Sequence, residues 1–548
     1  MRHPLDWLAG NTSIPRAELR WAAGFAALVM AATCLPYLYG IAITPPGLRY
    51  MGFLGNPDES NVYMGWMRQA MEGHWLFRDP FTTEPQPGRF LNVFFLALGL
   101  VARALHVEPI WSYHAARLVF GFLLLLTGYV FAARFCRSLL ARRLALGLMG
   151  LSSGLGWLYA LLQPDAQVHP IDFGAHLILP EAITFLSVLV FPLFAASTWL
   201  LLITYLLLLR AWDTGSLKAL IGACVAALIL ANIHTYDALG IYSVLVAYLL
   251  AKGVSERRMP WREAALAAVV AAVSVWPVVY QYVFFRGDFV FRTKALTLTL
   301  TPPGRFVALG YGLPLLLAIP GGAIGLVNRR LIFPVVWVVA TWLLIAYAPF
   351  SFQRKMIEGM HLPLCVLAAA FVGDYVLARP WRSAAMAAVG LVALTIPSNA
   401  FFVRRAGGDL LTNNAEYLWV LMPPHYLTRD EYDAMVWLRE HTRPDDAVLC
   451  TNLMGSYIPG VAGNTVFVGH WAETIHFGSK LGELADFFTP TTRDQVRIEM
   501  ARRNHLRYLF YGRWERGAGR FDPNTSSWMT PVYRRGEVTI FRFDLPRS

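Results

Sequence analysis

Runs of about twenty apolar residues constrain this chain more than anything else in it. As helix, rising about 1.5 Å per residue, such a run crosses a hydrocarbon core about 30 Å thick, and one soluble fold cannot bury many of them. About eleven segments qualify, namely 21–41, 111–133, 144–163, 183–209, 218–233, 238–251, 263–283, 306–327, 331–349, 361–378 and 383–400, each bounded by charge, Pro or Gly. Apolar and aromatic residues make up 56% of the 548 positions and charged residues only 15%, which excludes a soluble enzyme. The expected fold is a mainly α polytopic membrane bundle over 1–400, with a large first loop at 44–109. A soluble α/β domain follows over 401–548, where charge density becomes ordinary. The run 21–41 ends in Thr44-Pro45-Pro46 without an Ala-x-Ala cleavage site, so it reads as a retained span.

The formal net charge of +12 invites a nucleic-acid reading, but the cations fall in short clusters between apolar runs and form no long basic face. No nucleic-acid partner is expected. Cytoplasmic loops keep Lys and Arg. With Arg2, Arg16 and Arg20 inside, the clusters Arg134/Arg137/Arg142/Arg143, Arg210/Lys218, Lys252/Arg257/Arg258/Arg262, Arg329/Arg330 and Arg379/Arg382 share that side. The loops 164–181 and 232–237 carry no Lys or Arg. An odd number of spans then puts the tail outside. The expectation is an integral protein of a bacterial plasma membrane, with a cytoplasmic N-terminus and an extracytoplasmic C-terminal domain.

In the tail, 432–441 and 493–504 read as helices. Strands are expected at 447–452, 465–468 and 507–511, with a closing hairpin of 531–533 and 538–543 around Arg535-Gly536. Of five cysteines, four lie in or beside apolar runs and Cys450 stands alone in the tail, so neither a disulfide framework nor a CxxC metal site is on offer. No GxSxG, Walker loop or HExxH occurs, which leaves hydrolase and nucleotide-driven mechanisms without support.

The loops expected on the outer face carry the polar residues that invite chemistry. Asn56-Pro57-Asp58-Glu59 opens a helix, where two carboxylates either cap its positive end or are held at the mouth of the bundle. The helix that follows has Tyr63 and Trp66 and could lie flat at the interface. Arg354-Lys355 sits where an outward span ends, against the orientation rule; the pair either snorkels to lipid head groups or binds phosphate. His234-Thr235-Tyr236-Asp237 reads as a hydrogen-bonded turn or as two ligands of a metal site, which wants three or four, and Asp165, His169, Asp172 and His176 form a second such loop. In Gly469-His470-Trp471-Ala472-Glu473-Thr474, His470 and Trp471 suit either a sugar ring or packing against the membrane domain.

Together, Asp58-Glu59 with Tyr63, the stretches Glu72-Gly73-His74-Trp75 and Asp79-Pro80-Phe81-Thr82-Thr83-Glu84, and Arg354-Lys355 before a late span resemble the type C glycosyltransferases. The likeness is greatest to the protein O-mannosyltransferase and aminoarabinose transferase branch, and it covers most of 20–400. It implies a polyprenyl-phosphate sugar donor, Asp58 as catalytic base beside Glu59, Arg354 and Lys355 on the donor phosphate, and inversion at the anomeric carbon. Tyr63, His234, Asp237, His470 and Trp471 are further candidates for holding substrate. The acceptor stays open between lipid, glycan and protein, and membrane lipids surround the spans. No clear His follows Asp58-Glu59 at the O-mannosyltransferase spacing, the repeats of that branch are missing, and so is a convincing acidic metal motif, so no resident metal or other cofactor is expected. Two rivals remain: a transporter or flippase for a lipid-linked or anionic solute, and a non-catalytic membrane assembly protein.

Overall fold

An apolar run in lipid has to satisfy its own amides, and helix does this within one segment. The computed structural model describes residues 7–10, 12–162, 179–378, 382–413, 416–417 and 420–545. Among them, eight helices are long and apolar enough to cross a membrane: Arg16–Ala42, Pro109–Phe135, Pro192–Thr214, Thr235–Glu256, Trp261–Gly287, Gly304–Val327, Arg329–Tyr347 and Gln353–Val376. Two bent pairs, Leu139–Leu151 with Gly156–Leu162 at 49° and Ser383–Leu394 with Pro397–Thr412 at 42°, raise the number to ten at most. The expectation was about eleven. The helix Leu217–Ile233 covers the expected span 218–233 but, at 17 residues, is shorter than the eight. The expected span 183–209 is two helices, Thr184–Val190 and Pro192–Thr214, because Pro192 has no amide to continue the first and is well placed to start the second. The loop bearing Asp165, His169, Asp172 and His176 lies outside the described residues.

Two compact units emerge from the contacts: residues 1–35, 114–282 and 298–405 form the first, and residues 36–113, 283–297 and 406–548 the second. The tail from residue 406 onward falls in one unit with the segment 36–113.

In the first unit, polar side chains close one set of helix ends. Arg142 pairs with Glu18 at 3.1 Å, Arg134 with Asp213 at 2.6 Å and Lys252 with Glu263 at 2.7 Å. Arg330 donates to the carbonyls of Arg134 and Cys136, at the C-terminal end of the helix Pro109–Phe135. Gly154 lies so close to Gly310 that a Cβ on it would sit 2.0 Å from the Gly310 carbonyl oxygen, which lets the bend between Leu139–Leu151 and Gly156–Leu162 nest against Gly304–Val327.

The second unit is built on a four-stranded sheet in the order Ala447–Leu449, Leu506–Tyr511, Val538–Phe543, Met529–Arg535. The first pair is parallel and the others antiparallel. The expected closing hairpin is present, with Gly536 at φ +51° in its turn. The expected strand 465–468 makes only an isolated bridge, Val448 to Val466. Leu449, Phe467, Phe487, Leu509 and Phe541 form the core on which helices Phe477–Phe488 and Asp494–Arg503 lie. A separate two-stranded ladder joins Leu48–Tyr50 to Tyr426–Thr428 and ties the 36–113 segment to the tail.

Candidate active site

Pro57 supplies a preset φ at the first turn of the helix Pro57–Met71, and the Asn56 side chain caps it by accepting from the Glu59 amide at 3.4 Å. The cap is therefore Asn56, and the Asp58 and Glu59 carboxylates are left for other partners. Twelve of the helix's fifteen residues are buried, which leaves little of its apolar face for lipid. It packs instead inside the second unit, against Val93–Leu105 and against Asn452–Val461.

Glycine allows that second packing. A Cβ on Gly460 would meet the Met64 Cβ at 2.7 Å, and the Gly460 carbonyl accepts from Arg68 Nε at 3.2 Å. One turn earlier, a Cβ on Gly455 would lie 1.9 Å from the Val468 carbonyl oxygen. The helix Asn452–Val461 is thereby pressed between Pro57–Met71 on one side and the 468–474 turn on the other, and Ser456 and His470 both reach Asp58.

Asp58 is 3% exposed. Ser456 Oγ donates to its Oδ1 at 2.9 Å, and His470 Nε2 lies 3.2 Å from its Oδ2. The histidine tautomer follows from its other nitrogen: His470 Nδ1 accepts from the amides of Ala472 at 3.1 Å and Glu473 at 3.2 Å, so the ring proton sits on Nε2 and points at Asp58. Burial raises the Asp58 carboxyl above the ordinary aspartate value, against the opposing pull of His470 and the Ser456 hydroxyl. Glu59 beside it is the accessible carboxylate, its side chain 40% exposed, with Oε2 3.8 Å from His470 Nε2 and Oε1 accepting from the Tyr63 hydroxyl at 3.0 Å. Tyr63 is itself buried and stacks on Phe95 with centroids 4.5 Å apart; Trp471 is partly exposed and stacks on His470 at 5.9 Å.

A second charge cluster supports the turn from behind. Lys294 pairs with Glu473 and lies 3.3 Å from Asp79 Oδ2, next to the Phe291 ring at 4.6 Å. The lysine holds Glu473 below the usual carboxylate range, whereas burial outweighs the same lysine at Asp79 and pushes its carboxyl up to about 7. Thr474 Oγ1 donates to the Phe81 carbonyl at 2.8 Å, and Lys480 reaches Thr82 at 3.0 Å and Glu84 at 2.9 Å. The 79–84 stretch thus fixes the His470 turn to the 36–113 segment.

Asp58, Glu59, Tyr63, His470 and Trp471 come together in the second unit. Arg354, Lys355, His234 and Asp237 belong to the first. There, Arg354 Nε lies 3.6 Å from Glu181, and Lys355 Nζ stands 5.0 Å from the centre of the Tyr236 ring. His234 and Asp237 are buried and face Glu358. Ser456, Lys294 and Glu358 were not singled out in the sequence. Glu358 alone carried a usable signal, an acidic residue in a short turn between apolar spans.

No protein-family model matches the chain, and no curated protein matches it in sequence. Solved structures do resemble it in fold. The oligosaccharyltransferase of Archaeoglobus fulgidus superposes with a TM-score of 0.55 at 12% identity, over 90% of this chain and 69% of its own. ArnT from Cupriavidus metallidurans, solved bound to undecaprenyl phosphate, gives 0.53 at 13% identity over 95% of this chain and 98% of its own. The mycobacterial arabinofuranosyltransferase AftD gives 0.53 at 14% identity, over 97% of this chain and 42% of its own. The fold is that of the type C glycosyltransferases.

Proposed function

We propose that this protein is an integral membrane glycosyltransferase that moves a sugar from a polyprenyl-phosphate donor to an acceptor hydroxyl at the extracytoplasmic face. The observation that carries this is the setting of Asp58: a buried carboxylate at a helix start, held by two donors and raised in pKa, beside the accessible Glu59. A base of that kind is poised to take a proton from an alcohol as the alcohol becomes a nucleophile. The fold supports the same reading, since ArnT, which shares it, was solved with undecaprenyl phosphate.

In the proposed step the acceptor oxygen bonds to the anomeric carbon as its proton passes to Asp58. The bond from that carbon to the phosphate oxygen breaks, and polyprenyl phosphate departs with the electron pair. Direct displacement with one carboxylate and no covalent intermediate inverts configuration. The family resemblance gives the donor phosphate to Arg354 and Lys355, Arg offering a fork of donors and Lys a point charge. Glu59, Tyr63 and Trp471 line the acceptor side, and His470 fixes the base. His234 and Asp237 are given no part in this step, and it needs no resident metal.

Membranes containing the wild-type chain or Asp58→Asn, incubated with a panel of radiolabelled polyprenyl-phosphate sugars, test this. Label should leave the donor only with the wild-type chain, with transfer by the variant reduced roughly 10²- to 10⁴-fold at equal protein level. Undiminished transfer in the variant removes Asp58 as the base, and failure of every donor to lose label removes the transferase reading.

A further inference from the structure

We infer that His234, Asp237 and Glu358 form a binding site for one divalent transition-metal cation, Zn²⁺ by the chemistry of its donors. The helix Leu217–Ile233 stops at His234, whose φ of −148° and ψ of 79° break the backbone before Thr235–Glu256 begins, and Asp237 lies in the first turn of the second helix. Glu358 comes from the turn that precedes His361–Ala369. The three side chains are 8%, 2% and 0% exposed. His234 Nδ1 lies 2.9 Å from Asp237 Oδ2 and 3.2 Å from Glu358 Oε2, and one donor atom from each residue falls within 4.8 Å of the others. A tetrahedral ion about 2.0 Å from its ligands sets their edges about 3.3 Å apart, close to both of these distances.

Two buried polar atoms point to a guest. His234 Nδ1 has a single proton to give, and Asp237 receives it at 2.9 Å. Glu358 Oε2 therefore has no hydrogen-bond partner, although Oε1 accepts from Ser197 and from Thr198 at 3.0 Å. The Tyr205 hydroxyl is likewise buried without a partner. Tyr205, Asp237 and Glu358 line one cavity of about 10 Å³, walled by Trp337, Thr341 and Met356, which has room for about one water or ion. A divalent cation would balance two carboxylates that face this imidazole in a dry interior, and a water in the cavity completes a site with three protein ligands. Imidazole with carboxylate favours Zn²⁺ over the harder Mg²⁺, which keeps its waters. Ser197 and Thr198 orient Glu358 from the far side, as outer-shell partners of metal ligands do. The ligand form is the neutral imidazole with its proton on Nε2, so a proton held on Nδ1 passes to Nε2, or to solvent from the imidazolium, as the Nδ1 lone pair takes the metal.

Such an ion would clamp the break between the helices 217–233 and 235–256 to the turn that also carries Arg354 and Lys355. The inference does not rest on glycosyl transfer, and its test reads metal rather than sugar. The full chain, purified in nanodiscs without a polyhistidine tag, is assayed for metal by mass spectrometry, then stripped with a strong chelator and titrated with Zn²⁺ or Mn²⁺ while thermal unfolding is followed. One metal per chain is expected, with Tm falling on chelation and recovering on Zn²⁺. Both His234→Ala and the near-isosteric Glu358→Gln should lose the metal while still inserting in the membrane. A chain that neither holds metal nor gains stability from Zn²⁺ or Mn²⁺ overturns the proposal in favour of a trapped water. So does metal retained at full occupancy in both variants, which places the ion elsewhere.

Discussion

His470 Nε2 stands 3.2 Å from Asp58 Oδ2, and it does so in a fixed tautomer, because two backbone amides occupy its other ring nitrogen. The imidazole is thus a donor to the carboxylate and has no free lone pair with which to carry a proton away. In the proposed reaction the proton taken by Asp58 has to leave by another route, and Glu59, exposed and 3.8 Å from the same Nε2, is placed at the start of one.

Ser456→Ala provides the sharpest test of the base. The Ser456 hydroxyl pulls the Asp58 pKa down and burial pushes it up. Removing the hydroxyl lets burial act with less opposition. The working form is the carboxylate, so transfer falls as pH drops through the Asp58 pKa, and in Ser456→Ala that acid limb moves to higher pH. Profiles of kcat/KM against pH check this; superimposable profiles would exclude Asp58 as the group that titrates.

Glu473→Gln leaves Lys294 with Asp79 as its remaining acidic partner in the cluster and disrupts a largely buried ion pair, at a cost of about 3 kcal/mol. The measurement is Tm of the full chain in detergent. Because the glutamate holds the turn after His470, sugar transfer should also weaken by about tenfold.

Asp79→Asn behaves differently. The Asp79 carboxyl titrates near 7 in the fold against an ordinary value of 3.8, so between those values the folded state binds more protons than the unfolded one. Stability from this group is therefore full below 3.8 and is lost as pH rises through about 7. The stability of Asp79→Asn relative to the wild type should improve as pH rises across that window, in unfolding experiments run from pH 4 to pH 8. A pH-independent difference would contradict the assignment.

Gly455→Ala puts a Cβ 1.9 Å from the Val468 carbonyl oxygen, which is backbone and cannot swing aside. Overpacking of this kind costs about 1–3 kcal/mol. It should also move the His470 turn away from Asp58, so transfer should fall by more than the lost stability explains. Activity measured well below the variant's Tm separates the two effects.

Replacing Arg354 and Lys355 together by Ala should raise KM for the lipid donor by about tenfold or more while the acceptor KM changes little. Unchanged donor KM would return the pair to a snorkelling role.

The membrane helices were legible because hydropathy reports burial in lipid one residue at a time. Their breaks were less so. Pro192 and the Gly154 bend interrupt runs that stay apolar throughout, so composition does not register them. At the candidate site, Asp58 and His470 were visible as polar residues in loops. Ser456 was not, since a serine in an apolar helix has no local signature and its relevance comes from a glycine one place earlier. Lys294 looked like one more cation in a polar stretch, and only the fold brings it to Asp79 and Glu473. The carboxylates at 58 and 59 were also ambiguous as helix caps, and the ambiguity was resolved by Asn56, a residue that sequence patterns favour for that task.

Ser456 meets Asp58 across 398 positions of chain. At roughly 5 to 20 residues per second this interval is roughly 20 to 80 seconds of translation. Throughout it the carboxylate waits without the hydroxyl and imidazole that hold it. On the proposed reading, a polypeptide cut short of residue 456 carries its base without either partner, and the proposed transfer starts only once the 456–470 stretch has been made.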